Sequence, residues 1–207
     1  MIAHALAIVK NELDRHLSSY GVVAPEVELG NVAEITAAGG NNGQGRGKIV
    51  LSVVNVLEER TLKNEPNQIR DDVALRVRYV NQPVFLNLAV LVTATHNAYA
   101  DALVALSRAV LFFQFRTVFT PDTVDPSSLT TNAPVNVLDR LDEFKLIFNL
   151  MSPTLEEVNH LWGTLGGKQF PFALYSMRML EMQFQATQGE GGLITEVIGS
   201  FSQAAGR

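Results

Sequence analysis

At 207 residues the chain is long enough to bury a sizeable core and too short to demand two domains. With 47% apolar and 18% charged residues it has the balance of a folded chain rather than a disordered one. The net charge of −5 argues against a general nucleic-acid binder, and the lack of any cysteine excludes disulfides, thiolate catalysis and cysteine-based zinc sites.

Ile2, Leu6, Val9, Leu13 and Leu17 recur at three- and four-residue steps, which predicts a helix that Gly21 stops. The charged residues Lys10, Glu12 and Asp14 within it argue against a signal peptide. Pro25 begins an extended segment, and Val27 and Leu29, continued by Val32 and Ile35, read as a strand. Residues 37–47, AAGGNNGQGRG, then read as a flexible loop. A phosphate-binding loop would need Ser or Thr after Lys48, and Ile49 stands there.

Residues 49–57 are β-branched and apolar, which predicts a buried strand, and residues 58–72 read as a charged loop. Leu75, Val77 and Tyr79 alternate with Arg76 and Arg78, the period of a strand with one basic face and presumed to lie at a sheet edge. A long strand follows Pro83, over residues 84–95. It is interrupted by Asn87 and falls short of the ~20 residues that cross a bilayer. Tyr99, Leu103, Leu106, Val110 and Phe113 predict the buried stripe of a second helix over 98–115.

Residues 121–134 read as a long loop of Pro, Ser, Thr and Asn. Phe144, Leu146, Phe148 and Leu150 alternate as a strand. Ser152, Pro153 and Thr154, with Glu156 and Glu157 behind them, open a helix that ends at Gly166 and Gly167. Residues 171–184 form the last expected strand. The domain is expected to span 1–184, with a short polar to amphipathic tail over 185–207. Successive strands with few helices predict an α+β fold, a mixed or mainly antiparallel sheet with helices packed on it.

Nothing in the chain assembles a catalytic signature. His4, His16, His96 and His160 lack the spacing of a helix-borne metal site, and His160 reads as a structural residue near a helix end. No serine sits in a G-x-S-x-G elbow. Glu58 and Glu59, adjacent where the chain leaves a strand, point to opposite faces, which argues against a shared substrate proton. Trp162, between Leu161 and Leu165, reads as a core residue, with Gly166 and Gly167 as the cap that reverses the chain. No cofactor, metal, nucleic acid or membrane is expected.

Five fragments carry a family resemblance: MIAHALAIVKNEL at 1–13, a strand ending in EERTLKN at 58–64, PVFLNLAVL at 83–91, NHLWGTLGGK at 159–168 and YSMRM at 175–179. In this order they resemble the cap, or tail-terminator, proteins of contractile injection systems, the phage-tail-like particles of bacteria. The resemblance covers most of the chain to about Phe184 and implies a small ring-forming α+β domain. It implies six copies on the end of the inner tube and sheath that stop polymerisation, assembled in the bacterial cytoplasm. A neck, connector or baseplate adaptor of a similar particle is the alternative. The implied partners are further copies of the chain, the inner-tube protein and the sheath protein. Because EERTLKN belongs to the resemblance, Glu58, Glu59, Arg60 and Lys63 become candidate interface residues, joined by Arg76 and Arg78.

Overall fold

A computed structural model describes residues 1–21, 26–36, 46–59, 61, 68–71, 73–182 and 187–192. Two compact units are present: Met1–Arg60 with Phe85–Met182, and Thr61–Val84 with Gln183–Arg207.

The first unit begins with helix α1, Ile2–Ser18, followed by strand β1, Val27–Leu29, helix α2, Val32–Thr36, and strand β2, Ile49–Glu58. Val32 and Ile35 thus lie on a short helix rather than prolonging the first strand. Asn31 starts it by accepting a hydrogen bond from the Ala33 N–H at 3.1 Å, an Asx turn that competes with extension. The second unit contributes β3, Gln68–Asp71, and β4, Arg76–Val80. Strand β5, Val84–Ala94, leads to α3, Tyr99–Phe115, the two-residue strand β6, Val118–Phe119, and α4, Pro126–Thr130. Strand β7, Leu146–Met151, helix α5, Leu155–Thr164, strand β8, Phe172–Met182, and β9, Thr187–Gly192, complete the order.

In the first unit six strands run β1-β2-β5-β8-β7-β6. β1 is parallel to β2, whereas β2–β5, β7–β8 and β6–β7 are antiparallel, so the α+β expectation with a mixed sheet holds. Both faces are covered, and the two-residue period of the strands sorts their side chains between them. Ile49, Leu51, Leu88, Val90, Val92, Phe148, Tyr175 and Met177 join α1 and α3 in one core. Val50, Leu91 and Leu174 join Val32 of α2 and Trp162 of α5 in another.

Other expectations change as well: strand β3 forms within residues 58–72, which read as a loop. Tyr99 and Leu103, assigned to the buried stripe of α3, are exposed, and the buried face is Ala102, Ala105, Ala109, Phe112 and Phe113. Three alanines let the helix lie close on the sheet while Phe112 and Phe113 fill the space beyond, a pattern that weighting by side-chain size overlooks. Residues 121–134 are not a free loop, because α4 forms within them behind the N-cap Asp125, whose side chain accepts from the Ser127 N–H.

In the second unit the sheet order is β3-β4-β9, with both pairs antiparallel. Strand β4 is therefore central, which corrects its placement at an edge. The strand on its far side is TQGEGG, taken from the expected tail; it is joined through its backbone, which needs no apolar alternation.

Candidate functional site

Three of the resembling fragments meet at one point of the first unit. Glu59 follows β2, and its carboxylate oxygen Oε2 accepts from Asn87 Nδ2 of β5 at 2.9 Å. The same oxygen lies 2.8 Å from Arg178 Nη2 of β8. The Glu59 N–H donates to the Phe85 carbonyl at 2.8 Å, which carries the β2–β5 pairing one residue past β2. EERTLKN, PVFLNLAVL and YSMRM each supply one of these side chains. Glu59 is thereby tied within the chain, to an arginine that the site expectation did not include. Glu58 is exposed at the end of β2, in register with Leu86. Arg60 and Lys63 lie outside the described residues.

Arg76 and Arg78 are exposed on β4 of the second unit. Asp71 stands opposite Arg76 in the register and Glu190 opposite Arg78. Hydrogen bonds from the Ala74 and Val73 N–H groups, with the nearby arginine charges, hold the Asp71 carboxyl below the usual carboxylate range. The two arginines, two residues apart, share one face of β4.

Helix α5 starts with a capping box in which Thr154 accepts from the Glu157 N–H and Glu157 accepts from the Thr154 N–H. It carries Trp162 into the core against Phe170 and Phe172, with 4% of the residue exposed. His160 on the same helix is exposed. The helix ends when Gly166 and Gly167 turn to φ of 97° and 77° and the Gly167 N–H reaches back to the Trp162 carbonyl at 2.7 Å. This is the six-to-one bond of a Schellman ending. A Cβ on Gly167 meets nothing within 4 Å, so its substitution tests backbone strain alone. Gly167→Ala is expected to cost about 1–2 kcal/mol in urea denaturation, and Gly167→Asn visibly less, because Asn tolerates the left-handed region. Equal losses from both would point to something other than φ.

The most connected polar cluster was not legible as one in the sequence. Glu12 of α1 is buried, and its carboxylate accepts from Ser128 Oγ at 2.6 Å and from the Asp125 N–H at 2.9 Å. It also pairs with Arg15 at 3.1 Å and closely with Arg116. Just before it, Asn11 Nδ2 donates to the Ser128 and Thr131 carbonyls. Nearer the start of α1, His4 Nδ1 accepts from the Leu141 N–H at 2.8 Å and Nε2 faces the Leu129 carbonyl at 3.0 Å, which sets the Nε2-protonated tautomer. These contacts pin α4 and the chain beyond it to α1. They are structural, since the donors and acceptors satisfy one another.

Burial between Phe113 and Phe148 pushes the Tyr175 phenol up to about 12, so it stays protonated through the neutral range. Among the described residues no three His, Asp or Glu side chains stand together as a metal site, and no helix is long and apolar enough to cross a membrane. Helix α3 is unusual in the other direction. Tyr99, Leu103, Val104, Leu111 and Phe115 are all exposed, so it is apolar on the side away from the sheet as well.

The model of the Pvc16 N-terminal domain family matches residues 4–196, and the chain belongs to that family. Its fold is similar to that of the sheath/tube terminator of an extracellular contractile injection system, PVC, in the extended state. That likeness has 15% identity and a TM-score of 0.56, over 96% of this chain and 63% of the other. It is similar also to the tube-terminating cap of the anti-feeding prophage, AFP, with 15% identity and a TM-score of 0.54, over 93% of this chain and 60% of that one. This chain thus spans about three fifths of the length of those two chains. No curated protein matches the sequence.

Proposed function

We propose that this chain is a structural cap of a contractile injection system: a ring of six copies seats on the end of the inner tube, engages the last sheath ring and halts the growth of both. The observation that carries this reading is family membership over residues 4–196, joined to a fold shared with a sheath/tube terminator and a tube-terminating cap. Capping needs shape and surface complementarity and no bond-making, which suits a chain in which the described cluster around Glu12 serves to hold α4 on α1. Assembly takes place in the bacterial cytoplasm, and the chain travels with the particle. Adding purified chain to polymerising inner-tube protein should shorten the tubes and narrow their lengths in electron micrographs. Unchanged lengths across a range of ratios would remove the reading.

Glu58, Arg60, Lys63, Arg76 and Arg78 are the proposed partner-selecting charges. Exposed ion pairs contribute only about 0–1 kcal/mol each, so they set register and partner choice while apolar burial supplies affinity. Reversing Arg76 and Arg78 to Glu should leave the circular dichroism of the chain unchanged and yield particles of uncontrolled length. Normal lengths from the folded variant would take both residues out of the interface.

A further inference from the structure

Helix α3 has an outer face that one subunit leaves in water. At 100° per residue, Tyr99, Leu103, Leu111, Val104 and Phe115 spread over roughly 160° of its circumference. Tyr99 is 69% and Phe115 81% exposed. Only Ser107 and Gln114 interrupt this arc with polar groups, and no charge lies inside it. Its five exposed apolar side chains present on the order of 500 Å², the upper end of what a monomer leaves as a single apolar patch.

The same unit carries a second apolar feature, between α4 and β7. Val135 is 96%, Val137 65% and Leu138 73% exposed. The segment is held rigidly. Asn136 Oδ1 accepts from the Leu138 N–H at 3.0 Å to close a 3-10 turn over Val137–Asp139. Arg140 Nε donates to the Pro134 carbonyl at 2.8 Å, and the Leu141 N–H is bonded to His4. Three apolar side chains standing out from a preorganised turn form a projection suited to a flat apolar face.

We propose that the outer face of α3 is covered by the 135–138 projection of a neighbouring copy of this chain, in a head-to-tail contact. This rests on the cap reading for its setting. The two features together present on the order of 900 Å² of apolar surface, most of the core that a standard interface of about 1,200–2,000 Å² requires. The α3 arc lacks charge, as the centres of lasting interfaces do, and Asp139 and Arg140 stand exposed at the border of the projection, as charges at an interface rim do. A contact between two different patches propagates from subunit to subunit and closes a ring when the rotation allows.

The chain has no cysteine, which gives a clean test by site-directed cross-linking. Phe115→Cys, Leu138→Cys and the double variant are treated with a short bismaleimide, alone at high concentration and on inner-tube protein. Capping is scored by electron microscopy of the same samples. The expected result is a ladder of multimers from the double variant and no multimer from either single variant. Dimers from Phe115→Cys alone would mean that α3 faces α3 and would overturn the proposal. Capped tubes without a ladder would also overturn it, leaving the cap reading intact and assigning α3 to the tube or sheath. A ladder without capping would uphold the contact and remove the cap reading, and neither result would sink both.

Discussion

Replacing Glu12 by alanine is expected to destabilise the first unit by about 3–5 kcal/mol, the usual consequence of removing one partner from a buried charge cluster. The carboxylate is 5% exposed as a residue and serves four groups at once: Arg15, Arg116, the Ser128 hydroxyl and the Asp125 N–H. Its loss leaves the Arg116 guanidinium partly buried without its carboxylate, and two donors of the α4 segment without their acceptor. For a domain of this size about 1 kcal/mol corresponds to roughly 2–4 °C, so the melting temperature should fall by on the order of 10 °C. Proteolysis should begin between residues 121 and 134, where α4 loses its hold on α1. A loss under about 1 kcal/mol would mean that water takes over the role of the carboxylate.

Trp162→Ala should cost a comparable amount, about 3–5 kcal/mol, by emptying the core beneath α5. The indole packs on Phe170 and Phe172, in the cluster with Val50, Leu91 and Leu174. Its Nε1 has no hydrogen-bond partner among the described residues, so the ring contributes by packing and not through its donor. Trp162→Phe should therefore recover much of the loss, and urea denaturation of the two variants measures the difference. A Trp162→Ala chain that melts like the parent yet no longer shortens tubes would make Trp162 an interface anchor instead.

The helices and long strands are legible because their signals are local: the three- and four-residue steps of α1, the Ser-Pro-Thr start of α5 with its two acids, the β-branched run of β2. The meeting of Glu59, Asn87 and Arg178 was not, although each fragment was noticed, because the register of a sheet joins positions 119 residues apart without leaving a spacing to read. Glu12 looked like an ordinary charge off the apolar face of α1. Its burial depends on α4, whose Pro, Ser and Thr composition reads as loop. Strand β9 has glycine at half of its positions and no side-chain period at all. The outer face of α3 misled in a more useful way: Tyr99 and Leu103 do look like core residues, and the structure exposes them.

The central claim is that this chain ends a tube and sheath. Cryo-electron microscopy of particles assembled with and without it tests that most directly, by showing where the chain sits and how long the particles grow. A single six-fold ring of this fold is expected at the end of each particle opposite the baseplate, with uniform lengths when the chain is present and a broad distribution when it is absent. Density for the chain along the tube or at the baseplate, with lengths indifferent to its presence, would contradict it.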